Sequence, residues 1–487
     1  MRRIWTCLLV LTALLAISCG GGGGSSSGGG GGSNPPPPPG PTGYSNASLN
    51  GHYVYSAHGS ATGTTFAILG EFTADGAGRI ISGSEDAHDS SFGAYPTTPF
   101  TGTYSVGSDG RGEMVANFSG GGTIRMRFAL ISTDKARLIE MSQTENATGM
   151  IQKQDAAATA NLAGTYVFRF DGDNAGYQYS ALGAVTASGP AASGTLTGTL
   201  DQNDGGAFAS SVAVTGTYTV GAGGRGTATI NFGPGNVHFL FYIVDASRLE
   251  IMGTDFIPNL NGYAVQQSGG PFSNAGTNGN FIFQLSGYTS AGIIREAGRF
   301  TLNGSGAVNS GVEDLNENGQ FYENSTFTGT YSMAANGRAP VQLTYGTTTL
   351  KYVLWMTSPR TGILMSADGS SVESGPITLQ QGTQSNATLN GGYSVLFSGY
   401  AGVTADVIAQ VRANGTGSFT GTQDYNNGGT LGTGAALPGD YNVAANGRAT
   451  GTLGGLPIRI YVADASTWYA ISADNAKQML GIAEKQQ

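Results

Sequence analysis

Residues Gly102–Gly112 read GTYSVGSDGRG, and the chain of 487 residues writes that phrase four times. It returns as GTYTVGAGGRG at Gly216–Gly226, GTYSMAANGRA at Gly329–Ala339 and GDYNVAANGRA at Gly439–Ala449. The copies stand roughly 110 residues apart, the length of a small domain and much longer than a solenoid unit. Each reads as a strand, a tight turn and the start of the next strand, because Asp-Gly, Gly-Gly and Asn-Gly accept the positive φ that such turns require.

Working outward from this phrase, every quarter opens on a Gly-flanked aromatic stretch: LNGHYVYSAHG from Leu49, LAGTYVFRFDG from Leu162, TNGNFIFQLSG from Thr277 and LNGGYSVLFSG from Leu389. Tyr166, Phe168 and Phe170 fall on one face, with Val167, Arg169 and Asp171 on the other. A period of two with one apolar face is a half-buried antiparallel strand. A second strand runs into FTADGAG at Phe72, FTLNGSG at Phe300 or VRANGTG at Val411, again turn chemistry. The most hydrophobic stretches (IRMRFALIS, VHFLFYIVD, LKYVLWMTS, IRIYVADAS) follow the quoted phrase. Counting through gives about eight strands per quarter and no 3.6-residue pattern.

The expected fold class is therefore all-β: four tandem antiparallel domains, each an eight-stranded up-and-down barrel, in which closure removes exposed edges. The alternative is a β-sandwich, which needs a Greek-key crossover and hence a long connection. The expected units are 44–155, 156–270, 271–382 and 383–487. Their strand plan resembles that of the avidins and lipocalins, which are eight-stranded meanders. That likeness is one of rhythm. The Trp residues that line an avidin site reduce, beyond the export signal, to Trp355 and Trp468, in different quarters, and the lipocalin Gly-x-Trp is replaced by Tyr53, Tyr166, Phe281 and Tyr393.

Composition supports short strands and many turns. Gly alone contributes 81 residues, yet 39% of the chain is hydrophobic, too much for a disordered polymer. The net charge of -9, with no basic run, speaks against nucleic acid and against electrostatic docking on anionic lipid. The N-terminus reads as an export signal over 1–18: Arg2-Arg3, then an apolar run too short to span a membrane. It ends in LAISC at Leu15–Cys19, which resembles a bacterial lipobox. The resemblance implies cleavage before Cys19 and acylation of that residue, including palmitate; the alternative is a plain secretory signal cut near Ser18. Cys7 and Cys19 are the only cysteines, so the processed chain keeps one thiol, which lipidation would use. Residues 19–43 form a Gly/Ser/Pro tether that would hold a folded body off the membrane. The whole chain resembles bacterial tandem-repeat lipoproteins of unassigned activity, and the lipoprotein resemblance implies export and a lipid anchor in the membrane; Gly20, rather than the Asp that favours inner-membrane retention in enteric lipoproteins, then implies an outer-membrane or cell-surface address.

Candidate sites follow from what recurs. Tyr177, Tyr288 and Tyr400 fall after the first strand, where a Tyr ring at a barrel mouth would stack on a glycan or small apolar ligand. Asp86, Asp201, Asp314 and Asp424 each begin a D-x-[NH] loop whose simplest reading is an Asx-turn. Asp314, Asn316 and Asn318 also copy the first half of a calcium loop, but Ser325 stands where its bidentate Glu belongs. Arg111, Arg225, Arg338 and Arg448 follow the tight turn and are expected to bond strand-end carbonyls or cover the core. No catalytic constellation appears. Gly24–Gly28 matches G-x-S-x-G inside the tether, Gly221–Gly226 matches G-x-G-x-x-G on a hairpin, and Glu85-Asp86 and Glu313-Asp314 place adjacent carboxylates on opposite faces. No enzyme and no cofactor is expected beyond calcium. The two functional readings are ligand or glycan binding and a passive surface spacer.

Overall fold

The computed structural model describes residues 43–487 apart from 62, 159–161, 191 and 233–234. The signal segment, Cys19 and nearly all of the tether lie outside the described residues. From Asn50 to Lys485 the chain forms four closed antiparallel barrels of eight principal strands, which decides between barrel and sandwich. The second barrel shows the pattern: Gly164–Asn174, Tyr177–Ser188, Ser193–Asp204, Ala207–Val220, Arg225–Phe232, Gly235–Asp245, Arg248–Gly253 and Asn259–Gln266. Each strand pairs with the next, and the last returns to the first through Phe168↔Ala264 and its neighbours. The other barrels run from Asn50 to Lys153, Gly279 to Leu379 and Asn390 to Lys485.

Alternation places one side-chain set inside each barrel. Tyr166, Phe168 and Phe170 meet Phe239 and Phe241 in the second, with Phe170 stacked on Phe239 at 4.6 Å between centroids. The Tyr of the repeated phrase closes the barrel end. Tyr104, Tyr218 and Tyr441 donate to the carbonyls of Leu49, Leu162 and Leu389 at 2.7, 3.1 and 2.8 Å. The Gly before it is dictated by backbone approach. A Cβ at Gly102, Gly216, Gly329 or Gly439 would lie 2.1, 2.4, 2.0 or 2.2 Å from a carbonyl oxygen of the adjoining strand. The turn Gly (Gly110, Gly224, Gly337, Gly447) has φ between 76° and 86°, the left-handed region, and sets the following Arg first on the fifth strand.

The barrels close into a ring. Outward residues of the first two strands of one barrel pack on outward residues of the sixth and seventh strands of the next. Val167, Leu182 and Ala184 meet Val353, Trp355 and Met365. Equivalent seams join barrels one and two through Val54 and Tyr242, and three and four through Ile282 and Tyr461. The last seam returns from barrel four to barrel one, where Ile408 meets Ala129, Ile139 and Met141. One head-to-tail interface used four times, with a rotation that closes, makes a ring rather than a filament.

Candidate functional site: the seams and the axial cavity

The recurrent Asp and Arg residues are the fasteners of this ring, which corrects the expectation that each served its own loop. Arg338 grips Asp201 of the preceding barrel through Nε and Nη2 at 2.8 and 2.6 Å. Arg225 holds Asp86, and Arg448 holds Asp314, in the same two-pronged way. Arg111 completes the circuit on Asp424, but with a single bond of 3.0 Å from Nη1, because its Nε turns to Asp109. The aspartates lie within the third strand, not in a loop, and are almost wholly buried. Asp201, Asp314 and Asp424 also accept the backbone N–H of Ser211, Asn324 and Gly434, pinning a bulge in the fourth strand where φ is positive.

An aromatic donor completes three of the four sites. Tyr242 hydroxyl bonds Asp86, Trp355 Nε1 bonds Asp201 and Tyr461 hydroxyl bonds Asp314, at 2.9, 2.8 and 2.6 Å. The matching residue at the fourth seam is Ala129, paired across from Arg111 as Trp355 is from Arg338. Asp424 Oδ2 is left there without a partner among the described residues.

The second polar residue of the D-x-[NH] pattern reaches the same neighbour. Asn203 Nδ2 donates to the carbonyls of Ser366, Asp368 and Ser371, and Asn426 to those of Glu140, Ser142 and Glu145. His88 takes this role on Asp255 and Asn316 takes it on Asp474. These bonds remove the basis for calcium at Asp314, Asn316 and Asn318. The Asp314 oxygens are taken by a guanidinium, a phenol and an amide, Asn316 is turned to the next barrel, and Asn318 sits in a turn at φ 46°. A cation there would sit against Arg448.

Sequence reading missed a third set, Gln154, Gln267, Gln380 and Gln486. Each follows the eighth strand and donates Nε2 to two carbonyls of the next barrel, as Gln380 does to Asn446 and Val462 at 3.0 and 2.7 Å. Gln486 does so to Asp109 and Leu130 of the first barrel. The shared spacing of these glutamines was the available signal.

The first strands line the ring axis. Their outward residues, among them His58, Arg169, Asp171, Ser286 and Ser398, border two cavities of about 850 and 280 Å³ between the barrels. The larger draws on all four barrels and the smaller on the first, third and fourth. They share His58, Gly59, Thr148, Tyr288 and Arg295. Here the three expected Tyr residues come together instead of marking separate mouths. Tyr177 lines the larger cavity, Tyr400 the smaller and Tyr288 both. They remain 65%, 41% and 45% exposed. Desolvation by the surrounding barrels lowers the His58 imidazole from its usual range, and burial raises the Asp406 carboxyl in the smaller cavity to about 6 despite bonds from Ser398 and Asn146. Among the described residues no group of three His, Cys, Asp or Glu is placed to hold a metal ion, and no helix is long and apolar enough to cross a membrane.

No protein-family model matches the chain, and no curated protein matches it. Among solved structures it is similar to the isotype 1 transferrin binding protein B of serogroup B Neisseria meningitidis. The identity is 11% and the TM-score 0.19, over 71% of this chain and 81% of that one.

Proposed function

We propose that this chain is an exported lipoprotein, anchored through Cys19 to the bacterial outer membrane, whose ring of four barrels binds a small ligand in the axial cavity. One observation carries the binding reading. The barrel interiors are packed mainly by their own aromatic and aliphatic side chains, whereas the space on the axis is bordered by polar and aromatic groups of all four barrels, with the Tyr177 and Tyr288 rings still exposed on it. Pockets that mix aromatic surface with a few convergent polar groups are the usual form of a small-molecule site. Tyr288 and Tyr400 offer a flat apolar face with a polar tip, which suits a sugar.

Two experiments test it. A glycan panel is screened against the processed protein, with Tyr288→Ala and Tyr400→Ala expected to lose the captured sugar at unchanged melting temperature; retention by both variants refutes the axial site. Metabolic labelling with a fatty acid should mark the wild type and spare Cys19→Ala, and an unlabelled wild type removes the anchor.

A further inference from the structure

Four arginines border the larger axial cavity, and three are neutralised where they stand. Arg137 pairs with Glu484, Arg169 with Asp171 and Arg248 with Glu250. Arg295 is different. Its Nη1 donates to the carbonyls of Ile294 and Gly287 at 2.8 and 3.3 Å. Among the described residues neither Nε nor Nη2 meets an acceptor, and no carboxylate lies within ion-pair distance. Burial pushes its pKa down, yet a guanidinium does not give up its proton in a protein. The fold therefore keeps a partly buried cation without a carboxylate partner on the wall of both cavities, free to pair with an anion that arrives there.

The internal repeat shows that the ring does not need this residue. Ring-building side chains recur in every quarter. Arg295, paired across from Ser286, corresponds to Ala67, Ser180 and Asp406 in the other three. The two free donors lie on one edge of the guanidinium plane, the fork that receives a carboxylate side-on. The smaller cavity beside it, with Tyr288 and Tyr400 on its wall, lies at the low end of small-molecule pocket size.

We propose that the axial cavity selects a carboxylate-bearing sugar, docked by its carboxylate on Nε and Nη2 of Arg295 with Tyr288 and Tyr400 flanking the ring. This rests on the axial-cavity reading above. Titration calorimetry of the full processed chain with D-glucuronate and with D-glucose separates the two. Glucuronate is expected to bind roughly 10- to 100-fold more tightly than glucose, the range for a hydrogen-bonded charge pair. Arg295→Gln should erase that preference with melting temperature unchanged or raised, and Arg295→Lys should keep part of it. Binding of glucose with no preference for glucuronate, or an Arg295→Gln chain that still prefers glucuronate, overturns the charge assignment and leaves the cavity reading standing. Binding of neither sugar overturns both.

Discussion

The four seams share one plan but not one strength, and replacing the same arginine at two of them measures the difference. Arg338→Met strips Asp201 of three guanidinium contacts at 3.1, 2.8 and 2.6 Å, leaving a carboxylate of 0% exposure with the Ser211 amide and the Trp355 indole. Breaking a buried pair in this way costs about 3–5 kcal/mol, most of it from the stranded charge. Arg111→Met removes one 3.0 Å bond to Asp424, whose second oxygen was already without a partner. That loss is about 1.5–3 kcal/mol, the range for a single hydrogen bond to a charged group. Met keeps the apolar stem of the side chain in both variants, so packing changes little. Equilibrium urea unfolding of the two variants, followed by circular dichroism at a common m-value, should place Arg338→Met below Arg111→Met in stability. A double-mutant cycle with Asp201→Asn and Asp424→Asn isolates the pair terms. Equal costs, or a larger one for Arg111→Met, would refute the ranking of the seams and with it the role given to Trp355.

Further outcomes follow from other parts of the molecule. Glu296, Glu313 and Glu373 share the interior of the third barrel, where burial above all, with repulsion from neighbouring carboxylates, raises their pKa values above the ordinary 4.5 despite bonds from Tyr345 to Glu313 and Ser371 to Glu373. The native state therefore binds more protons than the unfolded chain. The stability this gives is fully present below about pH 4.5 and lost as pH rises through the raised values, so melting temperature should fall from pH 5 toward pH 9 and fall less steeply in Glu313→Gln. Gly329→Ala, whose Cβ would sit 2.0 Å from the Gln342 carbonyl, should cost about 1–3 kcal/mol in urea unfolding as the strands are forced apart. Gln380→Ala leaves the carbonyls of Asn446 and Val462 without that donor and should lower stability by about 1–3 kcal/mol, with amide exchange near Val462 accelerated.

The barrels were legible because they depend on local patterns. Alternation in VFRF and its counterparts, the Gly of the tight turn and eight evenly spaced strands each belong to one segment of chain. The ring was not legible because its contacts join residues more than a hundred positions apart: Arg338 with Asp201, or Arg111 with Asp424. Both partners recurred with the same period, so opposite charges were visible, but each was assigned a duty inside its own quarter. The D-x-[NH] pattern suffered the same way; its local turn chemistry is real in other proteins, yet here the side chains face outward from a strand. Tyr177, Tyr288 and Tyr400 fall after the first strand, where the pattern predicts exposure, and they do stay exposed. That they gather on the two axial cavities follows from ring closure, which no single quarter encodes. Arg295 breaks the repeat, so recurrence in the sequence does not mark it.

The contact between Tyr44 and the far end of the chain, 2.7 Å from its hydroxyl to the Gln487 carbonyl, makes the order in which the quarters are written a convention. A gene recut between the first and second barrels, with a short bridge from residue 487 back to residue 44, should encode the same object. Each quarter also carries both halves of a seam, an outward Asp on its third strand and an Arg at the start of its fifth, so the recut chain would still present every partner.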